Sequence, residues 1–342
     1  MRHSAVTFAA EARDLVAAGQ AWDLVFCSAM LNVAEYRGLA PRAVREQPVV
    51  VYFHENQLTY PVQFESERDY HFGYTNMTSA LAATSAWFNS RFNRDSFLTA
   101  LPAFLKRMPD NHMPQAPSAI LAKSRIESPG IQMITPRAEA RRPGPARLLW
   151  AARWEHDKNP GLLFDALRVL KKRGLVFRVS VIGEQFEREP PEFAAGRRDL
   201  AEFVDLWGFQ PTRAAYEDAL RDADVFVSTA DHEFFGITAA EAMLAGCYPM
   251  LPNRLAYPEL LEGLSPDAAD AFVYEGGANR LADRLEELIR RIAANQLWGD
   301  APRGLSDAMA RFVWDQRAAA LDNALETVAA GGDERDRPPS IG

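Results

Sequence analysis

The stretch His232-Glu233-Phe234-Phe235-Gly236-Ile237-Thr238-Ala239-Ala240-Glu241-Ala242 is where residue type and spacing point most directly to chemistry. Glu233 and Glu241 are eight positions apart. On a helix that is about two turns, which puts the second carboxylate near the face of the first. The preceding run, Asp224-Val225-Phe226-Val227-Ser228-Thr229, reads as a buried parallel strand. After Gly236, small and apolar residues continue to Leu244 and predict a helix stopped by Gly246. A strand, a tight turn and a helix form a ready anion site, because the first helical amides are unpaired and face outward. A carboxylate in that crevice can accept hydrogen bonds from vicinal sugar hydroxyls. The plainer alternative is that Glu233 only complements the helix dipole and Glu241 is solvated.

Two further stretches place polar groups straight after an apolar strand. His54-Glu55-Asn56-Gln57 follows Val49-Val50-Val51-Tyr52-Phe53, at the strand end where open α/β sheets bind ligands. His54 can hydrogen-bond a hydroxyl or take a proton near neutral pH. Glu55, Asn56 and Gln57 offer donors and acceptors to an acceptor molecule, and a solvated loop is the alternative. Arg153-Trp154-Glu155-His156-Asp157-Lys158-Asn159-Pro160 puts two cations five positions apart before a helix. An Arg fork and a Lys point charge would stabilise a leaving diphosphate. Pairing with Glu155 and Asp157 is the ordinary explanation. Gly183-Glu184 ends another strand and is a weaker nucleotide contact. Arg68 to Asn76 mixes charge with aromatics, Tyr74 among them, that could stack on a base or simply pack a helix.

Apolar strand-like runs at 23–28, 49–54, 84–89, 148–151, 177–183, 204–208, 224–229, 248–251 and 271–274 alternate with helical stretches. That pattern indicates parallel sheets covered on both faces. Prolines gather between about 106 and 147, with few apolar runs, and mark a boundary. The expected organisation is an N-terminal Rossmann-like domain over 1–130, a basic Pro-rich linker over 131–147, and a second Rossmann-like domain over 148–300. C-terminal helices over 301–330 could cross back to the first domain, ahead of a disordered tail at 331–342.

The 342 residues carry a net charge of −8, which argues against indiscriminate binding of polyanions. The balance is even over 1–130, so the whole deficit lies in 131–342. Arg137, Arg141, Arg142 and Arg147 in the linker leave room for an RNA acceptor, with Arg141 and Arg142 as candidates for phosphate contacts. No run of eighteen apolar residues predicts a membrane span. Met1-Arg2-His3-Ser4 lacks an apolar signal core, so a cytoplasmic protein is expected. Cys27 and Cys247 sit in or beside apolar runs and read as buried thiols. No Asp-x-Asp has a context suited to Mg²⁺. Asp222-Ala223-Asp224 enters a strand at the end away from the expected cleft, which favours a metal-independent site.

Glu-x7-Glu with Phe-Gly inside it resembles the donor signature of retaining glycosyltransferases of GT-B architecture. Taken with His54-Glu55-Asn56-Gln57-Leu58 through Arg68-Asp69, Arg153 through Lys158, and His232 through Gly236, the chain resembles the tRNA-queuosine mannosyltransferase family. The likeness runs from about Ala5 to about Leu261. It implies transfer of mannose from GDP-mannose to queuosine in tRNA, with retained configuration and no cofactor. Carried onto this chain, it makes His54, Arg153, Lys158 and Glu233 catalytic. Gly183, Glu184, Phe234, Phe235, Gly236, Ile237 and Glu241 would bind the donor, with Glu241 on the ribose. Glu55, Asn56, Gln57, Arg68 and Tyr74 would border the acceptor. The resemblance also implies an opening strand and Gly-rich turn that would precede residue 1, so the first sheet is expected to lack its usual first strand. Two other readings remain open at this level. One is a lipid, glycan or small-metabolite acceptor; the other is an inactive nucleotide-sugar or RNA-binding relative.

Overall fold

The computed structural model describes residues 2–62, 68–137, 141–186, 189–298 and 305–331. Most of the predicted tail, the start of the predicted C-terminal helical stretch and the middle of the linker lie outside them. The chain divides into two compact units: Met1–Pro129 with Arg317–Gly342, and Gly130–Gln316. No helix among the described residues is long and apolar enough to cross a membrane.

The first unit holds a parallel sheet of four strands in the order β1-β2-β3-β4: Val25–Ser28, Val49–Phe53, Ser85–Phe88 and Ser124–Ile126. Val49-Val50-Val51-Tyr52-Phe53 is buried throughout, as a central strand covered on both faces must be. One face packs Val51, Phe53 and Phe88 against Met77, Phe97 and Leu101 from the helices Tyr70–Ala82 and Arg91–Leu105. The other face packs Val50, Tyr52 and Trp87 against Ala324 and Val328. Those two residues belong to the Trp314–Ala329 helix, whose residues from Arg317 on are part of this first unit. Arg317 fastens it by donating to the Ser128 carbonyl and the Glu127 carboxylate, each at 2.9 Å.

One feature of this unit differs from the sequence expectation. The Pro-rich stretch after 106 contains a helix, Ala116–Ala122, and the edge strand β4. Ser124-Arg125-Ile126 is too short and polar to show a strand period, so only its pairing with β3 reveals it. At the opposite edge, β1 pairs with β2 alone among the described strands. Phe26 there is half exposed and lies over an apolar cavity of about 860 Å³ with Phe8, Leu15 and Trp22.

The second unit has six parallel strands in the order β10-β9-β8-β5-β6-β7. They are β5 Ala146–Ala151, β6 Phe177–Ile182, β7 Val204–Gly208, β8 Val225–Val227, β9 Tyr248–Pro252 and β10 Val273–Tyr274. From β5 the chain winds outward through β6 and β7, then returns to β8 on the other side and winds away through β9 and β10. The strand order therefore reverses between β5 and β8. In open α/β sheets the crevice beyond the carboxyl ends of such neighbours is where ligands bind.

Helices cover both faces. Leu281, Leu285, Leu288 and Ile292 form one buried stripe on the Ala278–Ala293 helix, at the spacing an amphipathic helix needs. The predicted linker is fastened to this unit rather than solvated. Ile131 and Ile134 are buried in its core, and Ile131 bridges Val313. Asp224, whose side chain is fully buried, receives Arg141 Nε at 2.9 Å and the Arg147 amide at 2.8 Å, with Arg137 at 4.0 Å. Arg142 pairs with Asp222. Both aspartates of the Asp-x-Asp spacing are thus held by arginine, a donor environment that suits no cation.

Candidate donor site and acceptor-side loop

The loop after β5 supplies the cations. Glu155 leads into a short 3-10 turn, His156–Lys158, and Asn159 then adopts φ +48°. Asn159 also caps the Pro160–Lys172 helix, its side chain accepting from the Leu162 amide. This turn brings Lys158 inward, where it is only 9% exposed. Trp150 Nε1 donates to Thr229 Oγ1 at 3.0 Å, and that hydroxyl donates to the Lys158 carbonyl at 2.8 Å. The β5 loop is therefore tied to the β8 loop. Arg153 stays at the mouth, 46% exposed and 3.1 Å from Glu155.

The loop after β8 supplies the first carboxylate. Lys158 Nζ donates to the His232 carbonyl at 2.8 Å and lies 3.2 Å from Asp157 and 3.5 Å from Glu233. The other Glu233 oxygen accepts from the Phe235 amide at 3.4 Å and the Gly236 amide at 3.2 Å. Those amides open the Ile237–Leu244 helix, with Gly236 as its N-cap at φ +96°. A side chain there would be strained, and its Cβ would come within 3.2 Å of Leu260 and Tyr257. The Glu233 carboxylate thus occupies the helix-start anion site and touches the lysine that faces it. Burial and the neighbouring Lys158 lower His232 to about 4, so its ring is neutral.

The second carboxylate lines an adjoining space. A cavity of about 180 Å³ is bounded by Arg153, Lys158, Glu233, Gly236 and Tyr257. Another, of about 370 Å³, is bounded by Gly183, Glu184, Phe209, Arg213, Tyr216 and Glu241. Ala151, Ala152, Arg153 and Thr238 line both, so they form one crevice above β5, β6 and β8. Gly183 is required by close approach, since a Cβ there would fall 1.7 Å from the Ala152 carbonyl oxygen. Glu241 is not the solvated helix glutamate of the plainer alternative: it is 6% exposed.

The structure thus gathers Arg153, Lys158, Gly183, Glu184, Glu233, Gly236 and Glu241 around one crevice. The side chains of Phe234 and Phe235 turn inward instead. Phe235 packs edge-on to Phe312 at 5.3 Å and Phe234 edge-on to His232 at 4.3 Å. Only the backbone of this pair faces the crevice, through the Phe235 amide. Ile237 is 47% exposed and lies beside the site without lining either cavity.

In the first unit, the loop after β2 is held by an asparagine network. Asn89 Nδ2 donates to the His54 carbonyl at 2.7 Å, and Asn93 Nδ2 to the Phe53 carbonyl at 3.0 Å. Asn76 Oδ1 accepts from the Gln57 amide at 2.8 Å. Asn56, expected to border an acceptor, is fully buried. Its amide donates to Asn93 Oδ1 at 3.0 Å and Ser96 Oγ at 3.2 Å, while its carbonyl accepts from Thr59. That expectation is corrected: Asn56 anchors the loop and is not available to touch a ligand.

Arg68 is also turned to the loop, donating to the Leu58 and Tyr60 carbonyls at 3.3 and 3.1 Å. Glu55 and Gln57 contact each other at 2.8 Å, and Tyr74 is 43% exposed. His54 projects from the strand end with its ring edge-on to Tyr52 at 4.6 Å, and partial burial lowers its pKa. Sequence reading missed Asn76, Asn89 and Asn93 as loop anchors, and Arg213 and Tyr216 in the second unit; the expected pairing of Lys158 with Asp157 and of Arg153 with Glu155 is present. Asn89 and Asn93, one helical turn apart around the Ser90 cap, were the available signal.

Two Rossmann-like units with a crevice of this kind define a class, the GT-B glycosyltransferases, and comparison with known proteins agrees. Residues 134–300 match the family model for glycosyl transferases group 1. Sucrose-phosphate synthase from Thermosynechococcus elongatus superposes with a TM-score of 0.66 at 17% identity, over 91% of this chain and 75% of that one. The protein is a glycosyltransferase.

Residues 1–131 match the tRNA-queuosine alpha-mannosyltransferase N-terminal model. A tRNA-queuosine alpha-mannosyltransferase from Drosophila melanogaster is 38% identical over 271 residues, covering 76% of this chain and 70% of that protein. The chain belongs to the tRNA-queuosine alpha-mannosyltransferase family. A more distant relative is the GDP-mannose:cellobiosyl-diphosphopolyprenol alpha-mannosyltransferase of Xanthomonas oryzae, 26% identical over 41% of this chain and 37% of that protein.

Proposed function

We propose that this enzyme transfers mannose from GDP-mannose to queuosine in tRNA, with retained anomeric configuration and without metal or cofactor. The observation that carries the donor half is the meeting of Lys158, Glu233 and the Phe235 and Gly236 amides at the strand-order reversal. Family membership and the N-terminal match support the acceptor half. The name of the Xanthomonas relative supports the donor. A tRNA acceptor makes the cytoplasm the working compartment.

In this reading Arg153 and Lys158 hold the diphosphate, where a fixed fork and a buried point charge offset the charge that develops on the leaving group. Glu241 accepts from the ribose hydroxyls in the larger cavity, beside Gly183 and Glu184. The Glu233 carboxylate, beside the helix-start amides, accepts from the hexose hydroxyls. The first unit contributes His54, Glu55, Gln57 and Tyr74 to recognition of the acceptor. The bond between the sugar C1 and the β-phosphate oxygen breaks to an oxocarbenium-like state. The queuosine hydroxyl then forms the new C1–O bond on the same face, and its proton passes to the departing phosphate oxygen. The protein contributes charge stabilisation and positioning.

Donor choice and metal dependence test this directly. With queuosine-containing tRNA, GDP-mannose should support transfer, UDP-glucose should not, and a chelator should leave the rate unchanged. The product should be an α-linked mannoside by nuclear magnetic resonance. Loss of transfer with chelator, or an inverted product, would overturn the mechanism.

A further inference from the structure

We propose that Arg213 and Tyr216 are positioning residues, fixing the Glu241 carboxylate in the orientation from which it recognises the ribose of a nucleoside diphosphate. The proposal rests on the donor reading above and adds two residues to it. Both stand on the first turn of the Arg213–Asp222 helix, which Thr212 caps by accepting from the Ala215 amide. Arg213 Nη2 lies 2.8 Å from Glu241 Oε1, and the Tyr216 hydroxyl donates to Glu241 Oε2 at 2.7 Å. Each carboxylate oxygen thus has one partner from this helix.

A carboxylate has about four lone-pair sites, so two remain for a vicinal diol. Glu241 also lines the larger cavity, as do Arg213, Tyr216 and Thr238. Its side chain is only 7% exposed, so its hydrogen bonds must come from protein groups rather than solvent.

The geometry of the pair is restrictive. Arg213 Nε is held by Glu217 at 2.8 Å, and its guanidinium lies 5.1 Å from the centre of the Tyr216 ring. The fork therefore has both its roll and its depth set, which a lysine would not reproduce. Burial, with the Glu241 charge beside it, pushes the Tyr216 phenol above its ordinary value, so the hydroxyl remains a donor.

The test compares binding of GDP and of 2′,3′-dideoxy-GDP to the full chain by calorimetry, for the unaltered protein, Tyr216→Phe and Arg213→Lys. The unaltered protein should prefer GDP by about tenfold or more, the size expected for hydrogen bonds to a charged group. Each variant should shrink that preference to about threefold or less by weakening GDP alone, with dideoxy-GDP affinity unchanged. Equal weakening of both ligands, or a preference that does not move, would make the pair a purely structural brace and overturn the assignment. If the unaltered protein binds neither ligand, the donor reading falls and this proposal with it; binding with an unmoved preference overturns this proposal alone. Thermal unfolding of each variant separates a lost fold from a lost preference.

Discussion

Lys158 draws its electrostatic meaning from what crowds it. It is nearly buried, with two carboxylates and a carbonyl within 3.5 Å, contacts that offset the cost of taking its charge out of water. His232 is next in the chain to Glu233, and burial and Lys158 lower it to about 4 from an ordinary 6.5. The sign of its linkage follows. Between those values the unfolded chain binds the proton and the folded one does not, so stability is full above about pH 6.5 and drains as pH falls toward 4. The slope from this one group is about 1.4 kcal/mol per pH unit. Thermal unfolding of the unaltered protein and of His232→Asn across that window should show a steeper acid loss for the former. Identical slopes would mean that His232 is hydrated in the folded protein.

At the scale of the elements, strands were legible where burial on both faces made them continuously apolar, and illegible where they were not. Val49–Phe53 announces itself, whereas Ser124-Arg125-Ile126 becomes a strand only because β3 offers it a free edge. The carboxylate pair could be read from spacing, because a helix and its turn fix the two positions locally. The partners of Glu241 could not, since Arg213 and Tyr216 lie on a different helix and nothing local relates them. Asn56 misled for a similar reason. A polar side chain after a strand looks ligand-facing until Asn93 and Ser96 are seen to consume it.

The arginines of the joining segment belong to the same lesson. In the sequence they look available for phosphates, yet Arg141 is paired with a fully buried Asp224. Removing Arg141 leaves the buried Asp224 with the Arg147 amide and with Arg137 at 4.0 Å, so Arg141→Ala should cost about 2 kcal/mol in denaturant unfolding. The salt dependence of tRNA affinity should keep its slope. A shallower slope with unchanged stability would return Arg141 to the RNA.

For the whole molecule, the division of labour follows the chain. The second unit carries the crevice built from the loops after β5 and β8, and the first carries a pinned loop that presents His54. From Arg317 on, the C-terminal helix belongs to the first unit because Ala324 and Val328 pack on Val50, Tyr52 and Trp87. The measurement that reaches the central claim most directly is nucleoside mass spectrometry of queuosine-containing tRNA after incubation with GDP-mannose. The unaltered enzyme should add one hexose to queuosine. Glu233→Ala and Lys158→Ala, still folded, should be slower by about 10² to 10³, the cost of losing one charge-stabilising group. Unmodified queuosine after incubation with an enzyme that binds GDP-mannose, or full transfer by either variant, would contradict the account.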